Sequence, residues 1–262
     1  MHLTVAGHET YAYTGSRALI PGQPSVVFVH GAANDHSVWA LQSRYFAHHG
    51  FNVLALDLPG HGRSEGAPLA SVEAIADWLP LVLDAAALTS ATLIGHSLGS
   101  LACLACAARV PDRVGKLALL GPAVPMPVSD VLLAAAKADD HVAFDLISGW
   151  SHSAPRQIGG NKVPGMWMTG NAVRLMERTR PGALHTDLVA CNAYADGLGA
   201  AQGVRCPALL ILGQRDLMAP AKNAQALIAA LREPRVVTLA GAGHAMMAEQ
   251  PDAVLDALRA FV

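Results

Sequence analysis

Two kinds of segment alternate along this chain, and that alternation constrains its fold more than any other feature. Short, unbroken apolar runs occupy 25–30 (SVVFVH), 52–57 (NVLALD), 91–95 (ATLIG), 116–121 (KLALLG), 207–213 (PALLILG) and 235–239 (RVVTL). Runs of this length suit strands covered on both faces, as in parallel sheets. Between them lie Ala- and Leu-rich stretches at 37–48, 71–87, 98–109, 221–231 and 252–261, which read as helices. The last follows Pro251, a residue that fits a helix start. Strand–helix alternation implies right-handed βαβ units and a mostly parallel sheet. The first 20 residues differ. HLTV and ETYAY alternate polar and apolar positions, which predicts a hairpin of two edge strands and brings the sheet to eight.

The alternation stops between Pro122 and about Gly203. Pro122, Pro125, Pro127, Pro155, Pro164 and Pro181 fall here, with Trp150 and Trp167. Helical patches stand at 128–137, 171–178 and 183–195. This division predicts a core formed by 1–121 and 204–262, with 122–203 inserted as a helical cap. A chain of 262 residues suits one domain with a moderate insertion.

Gly95-His96-Ser97-Leu98-Gly99 matches G-x-S-x-G, directly after an apolar strand and directly before a helix. A serine in that position sits on a sharp turn, and small residues two positions to either side let strand and helix approach. The turn lifts the Ser97 hydroxyl above the sheet and aims a helix N-terminus at the reacting oxygen. Asp216 follows another strand, in Gly213-Gln214-Arg215-Asp216, and His244 ends Gly241-Ala242-Gly243-His244 after the next. An Asp at the carboxyl end of a strand is placed for function. The order Ser97, Asp216, His244 on successive strand ends is the nucleophile, acid and base order of this topology.

These motifs, with His30-Gly31 and Asp57-Leu58-Pro59-Gly60-His61-Gly62-Arg63-Ser64, make the whole chain resemble the α/β-hydrolase fold enzymes, serine-nucleophile branch. The resemblance implies an eight-stranded, mostly parallel sheet flanked by helices, with the insertion as a cap. It implies Ser97 as nucleophile, Asp216 as acid and His244 as base, with the amides of Ala32 and Leu98 as oxyanion donors. It also implies that the 57–62 loop is a tight structural turn. Asp57 is the nearest rival acid, because it too ends a strand; His30 reads as a support for its loop, and His96 as packing under the turn. Serine at position 97 argues against the relatives that use aspartate there, the haloalkane dehalogenases and epoxide hydrolases.

Composition narrows the partners. Lys+Arg number 18 and Asp+Glu 20, a formal charge of -2, so the basic footprint that nucleic acid or acidic lipid requires is missing. No apolar run approaches the roughly 18 residues of a spanning helix, and the start has no signal-peptide pattern. Cys103, Cys106, Cys191 and Cys206 form no disulfide framework. Together these predict a cytoplasmic protein acting on a small molecule. Cys103 and Cys106 have C-x-x-C spacing, but no second pair exists, so neither metal nor cofactor is expected.

The expected reaction is hydrolysis of a carboxylic ester with a small to medium, largely apolar acyl or alcohol group. Met126, Trp150, Trp167, Met168 and Met218 are the candidate pocket walls. Carbon–carbon bond hydrolysis and lactone hydrolysis by the same three residues stay open. Relatives cleaving carbon–carbon bonds usually carry a cap arginine, and Arg156, Arg174, Arg178 and Arg180 are available. From another class, a non-catalytic ligand receptor is the alternative.

Overall fold

The computed structural model describes residues 1–160 and 165–262; Pro164 lies outside the described residues. Eight strands form one sheet: β1 (His2–Val5), β2 (His8–Tyr13), β3 (Ser25–Val29), β4 (Asn52–Leu56), β5 (Ala91–His96), β6 (Val114–Leu120), β7 (Ala208–Gly213) and β8 (Arg235–Leu239). Their order is β1-β2-β4-β3-β5-β6-β7-β8. The N-terminal hairpin is antiparallel, and β2 pairs antiparallel with β4. All remaining pairings are parallel. Parallel order requires crossovers, and these carry the helices.

The helices are α1 (Ala40–His48), α2 (Val72–Ala85), α3 (Leu98–Arg109), α4 (Asp130–Lys137), α5 (Val142–Ser151), α6 (Ala154–Gln157), α7 (Met168–Met176), α8 (Ala183–Ala193), α9 (Gly197–Gly203), α10 (Gln225–Ala230), α11 (Met246–Glu249) and α12 (Pro251–Arg259). Two expected helices open differently than their sequence suggests. The 37–48 stretch begins as a 3-10 turn over His36–Trp39, because Asp35 accepts from the Ser37 amide and fixes a tight entry. The 221–231 stretch likewise opens as a 3-10 turn over Ala221–Ala224.

The strands separate two apolar layers. Val27, Leu93, Leu117 and Leu210 join the layer packed by α2 and α3. Phe28, Ile94, Ala118 and Ile211 point the other way, toward Trp39 and Phe46 near α1 and Val254 and Leu258 of α12. Side chains alternate across a strand, so only a run apolar at every position can feed both layers. At the sheet edge the rule relaxes: Arg235 and Val236 of β8 are exposed.

Between β6 and β7 the chain leaves the sheet for α4–α9. Most of this excursion has an apolar cluster of its own, built from Leu132, Ala136, Ala143, Met176, Leu184 and Leu188. Ala33, from the loop after β3, completes that cluster. α9 instead packs on α3, and its Ala200 and Ala201 join the main layer. Among the described residues no helix is long and apolar enough to cross a membrane.

Candidate active site

Ser97 joins β5 to α3 with φ +52° and ψ −120°. A non-glycine residue there costs about 1–3 kcal/mol and persists only where its surroundings hold it. Here the Ser97 amide donates to the Leu120 carbonyl at 3.0 Å, and the Ser97 carbonyl accepts from the Ser100 amide at 2.8 Å and hydroxyl at 2.6 Å. The flanking glycines provide room. A Cβ on Gly95 would run into the Gly99 carbonyl, and one on Gly99 into the Val29 and His30 carbonyls. Strand, turn and helix can therefore close on one another only with these residues.

Asp216 and His244 come from the ends of β7 and β8. The His244 Nδ1–H donates to Asp216 Oδ2 at 2.7 Å, and both residues are buried. Asp216 Oδ1 accepts from the amides of Met218 at 2.9 Å and Ala219 at 2.7 Å, which fixes the carboxylate plane. Holding the proton on Nδ1 leaves Nε2 as the basic ring atom. Gly121, at φ +56°, makes space for this pair, since a Cβ there would lie 3.0 Å from the His244 ring.

His96 does more than pack. Its Nε2–H donates to the His244 carbonyl at 3.0 Å, which ties the His244 loop to the residue before Ser97. Burial, reinforced by the facing His244 ring, pushes the His96 pKa well below its ordinary value, so the ring is neutral. Behind the His244 loop, buried Glu249 accepts from the Gly243 amide at 2.9 Å and from the Ser153 hydroxyl at 2.6 Å.

Ala32 follows β3 on a loop whose next residue, Ala33, has φ +52°. The Ala33 amide donates to Asp187 Oδ2 of α8 at 2.9 Å, and the Ala33 carbonyl accepts from the Thr179 hydroxyl at 3.1 Å. His61 Nε2–H donates to the same Asp187 oxygen at 2.9 Å, while its Nδ1–H donates to the Pro59 carbonyl at 3.0 Å. A ring that donates from both nitrogens is an imidazolium. Burial alone would lower the His61 pKa, but the Asp187 charge and these bonds outweigh it, and the pKa is raised. His30 differs. Burial and the nearby His61 charge push it down to about 4, and its Nε2 accepts from the Leu58 amide at 3.1 Å. Among the described residues no protein acceptor takes the amide hydrogens of Ala32 or Leu98.

Ser97 and His244 line one cavity of about 700 Å³, together with Gly31 and Ala32. Met126, Trp150, Met168 and Met218 line it too. Trp167 does not: it stands outside, 69% exposed, against Gly170 on a separate shallow hollow. Arg174 and Arg178 reach the cavity, whereas Arg180 is engaged with the Ser64 and Gly66 carbonyls. Asp57, the rival acid, is taken up by the His36 amide and ring and the Arg63 amide. Asp35, His36 and Asp57 have metal-ligand spacing, but Asp35 and Asp57 already accept these protein hydrogens. The Cys103 and Cys106 thiols are buried, and burial pushes Cys106 up to about 12, a range in which a thiol is a poor nucleophile.

Asp187, His61 and Glu249 were missed as site residues from sequence. For Asp187 a signal existed: it is the one acidic residue in the mostly apolar helical segment ALHTDLVAC. Such a residue is buried only with partners.

A model of the alpha/beta hydrolase family matches residues 26–257. Similar curated proteins include an (E)-2-((N-methylformamido)methylene)succinate hydrolase from Acinetobacter baylyi. It is 25% identical over 248 residues, covering 92% of this chain and 90% of the relative. A pimeloyl-[acyl-carrier protein] methyl ester esterase from Chromobacterium violaceum is 31% identical over 229 residues, covering 85% and 87%. Among solved structures, the enol-lactonase from Burkholderia xenovorans superposes with a TM-score of 0.87 at 26% identity, covering 100% of this chain and 99% of that one.

Proposed function

The chain belongs to the alpha/beta hydrolase family, and within it we propose a serine hydrolase that cleaves a carboxylic ester of a small to medium, largely apolar substrate. One observation carries the reading. A buried Asp216–His244 pair and a strained, strand-to-helix Ser97 open on the same cavity. The relatives that include an esterase and an enol-lactonase support the same chemistry.

In this reading Ser97 Oγ attacks the ester carbonyl while His244 Nε2 takes its proton. The carbonyl oxygen becomes an oxyanion between the amides of Ala32 and Leu98. Collapse breaks the bond to the alcohol, which leaves with the proton from His244. Water then attacks the acyl-serine, giving one proton to His244, and the acid departs as that proton returns to Ser97. Asp216 keeps the imidazole in the Nδ1–H form and stabilises its positive charge. Each oxyanion donor is worth about 100- to 1000-fold in rate. We assign the 122–203 excursion as the cap, whose Met126, Trp150 and Met168 give the cavity its apolar wall. Its volume lies in the ordinary range of small-molecule sites. With all four cysteines free, we assign the protein to the reducing cytoplasm.

Lactone hydrolysis is the second reading, favoured by the likeness to the enol-lactonase. The steps are the same, with the leaving alcohol still tethered to the acyl group. A panel of chromogenic short-chain esters and lactones, run on wild type and Ser97→Ala, tests both. Turnover by wild type and at least about a thousandfold loss in the variant is the expected result. Equal turnover in the two removes Ser97 from the mechanism, and binding without turnover makes the protein a ligand receptor.

A further inference from the structure

The loop that carries Ala32 is held from the cap side. Asp187 lies 154 residues from Ala33 in sequence, on α8, and is almost fully buried. One of its oxygens accepts both the Ala33 amide and the His61 ring. Thr179, also in the cap, donates to the Ala33 carbonyl. Both peptide groups of Ala33 are therefore gripped by cap residues, at a residue whose positive φ an alanine adopts only when held. The preceding peptide carries the Ala32 amide and the Gly31 carbonyl. That carbonyl accepts from the His30 ring at 2.8 Å, which turns the trans amide hydrogen to the opposite side. His30 and His61 face each other, ring centroids 5.1 Å apart.

We propose that Asp187, paired with His61, is a positioning residue for the oxyanion donor at Ala32, so that seating the cap and completing the oxyanion hole are one event. The inference rests on the esterase reading above. His61 is the buried partner of the Asp187 carboxylate beside this loop. Burial, helped by the His61 charge, keeps His30 neutral, and a neutral His30 can accept from Leu58 with one nitrogen while donating to Gly31 with the other. Asp187 touches no reacting atom; it acts through the Ala33 peptide.

The test compares wild type, Asp187→Asn and Thr179→Val on a paired ester and thionoester. Sulfur accepts hydrogen bonds weakly, so the ratio of kcat/KM for ester over thionoester reads the oxyanion hole. Asp187→Asn is expected to lower kcat on the ester about 30-fold with KM within about threefold, and to lower that ratio by a similar factor. Thr179→Val is expected to shift both in the same direction, about threefold. A variant that merely loosens the fold loses both substrates equally, and an unchanged ratio in Asp187→Asn overturns the proposal. Amide hydrogen exchange over 31–34 needs no substrate. Asp187→Asn is expected to speed it about tenfold, and unchanged exchange also overturns the positioning. Absence of ester turnover in wild type counts against the esterase reading instead, and the exchange arm still decides whether Asp187 holds the loop.

Discussion

Two buried polar seams help fasten the excursion between β6 and β7 to the rest of the molecule, and they are built from different chemistry. At the first, a carboxylate of α8 meets a histidine and an amide of the loops that follow β4 and β3: Asp187 with His61 and Ala33. At the second the direction reverses, and a carboxylate of α11, Glu249, accepts from Gly243 of the His244 loop and Ser153 of the excursion. Both carboxylates are buried. The first seam contains a titrating cation, while the donors of the second are an amide and a hydroxyl that keep their hydrogens at any ordinary pH. The first seam thus carries a histidine proton that the second lacks.

Asp187→Ala strikes this difference hardest. It leaves the His61 imidazolium buried without its partner, and thermal or denaturant unfolding is expected to show a loss of about 3–5 kcal/mol. The loss depends on pH in a defined direction. The folded pKa of His61 is raised above its ordinary 6.5. Its contribution is therefore fully present below that value and is lost as pH rises through the folded pKa. The gap between wild type and Asp187→Ala should narrow on going from pH 6 to pH 9, and a gap that stays constant removes the charge from the seam. Glu249→Ala comes next, with an expected loss of about 2–3 kcal/mol from buried donors left unpaired. That loss should hold across the same range; if it varies with pH as the first does, the two seams do not differ as described. Thr179→Val removes one neutral hydrogen bond at the first seam and is expected to cost about 1 kcal/mol by the same unfolding measurement.

The sheet was legible because its strands are buried on both faces, and that demand writes unbroken apolar runs such as VVFV and LLIL. The elbow at Ser97 was legible because the close approach of Gly95 and Gly99 admits no side chain. Within the excursion the reading was thinner. α5, α6 and α9 were absent from it: α9, GLGAAQG, has poor helix propensity and forms because small residues let it lie against α3 near Ala108. Trp167 was read as a pocket wall from residue type alone, and packing turned it outward. His61 was read as part of a turn, which it is; its second role depends on a partner 126 residues away, a distance no local pattern spans. The same limit hid Glu249, whose partners come from the excursion and the His244 loop.

In the proposed mechanism Ser97 is made nucleophilic by His244, and labelling with a fluorophosphonate, followed by intact-mass analysis and peptide mapping, tests that step. A single adduct on Ser97 is predicted in wild type, formed at least about a hundredfold more slowly in His244→Ala and absent in Ser97→Ala. An adduct on another residue, or labelling of Ser97 at the wild-type rate without His244, would contradict it.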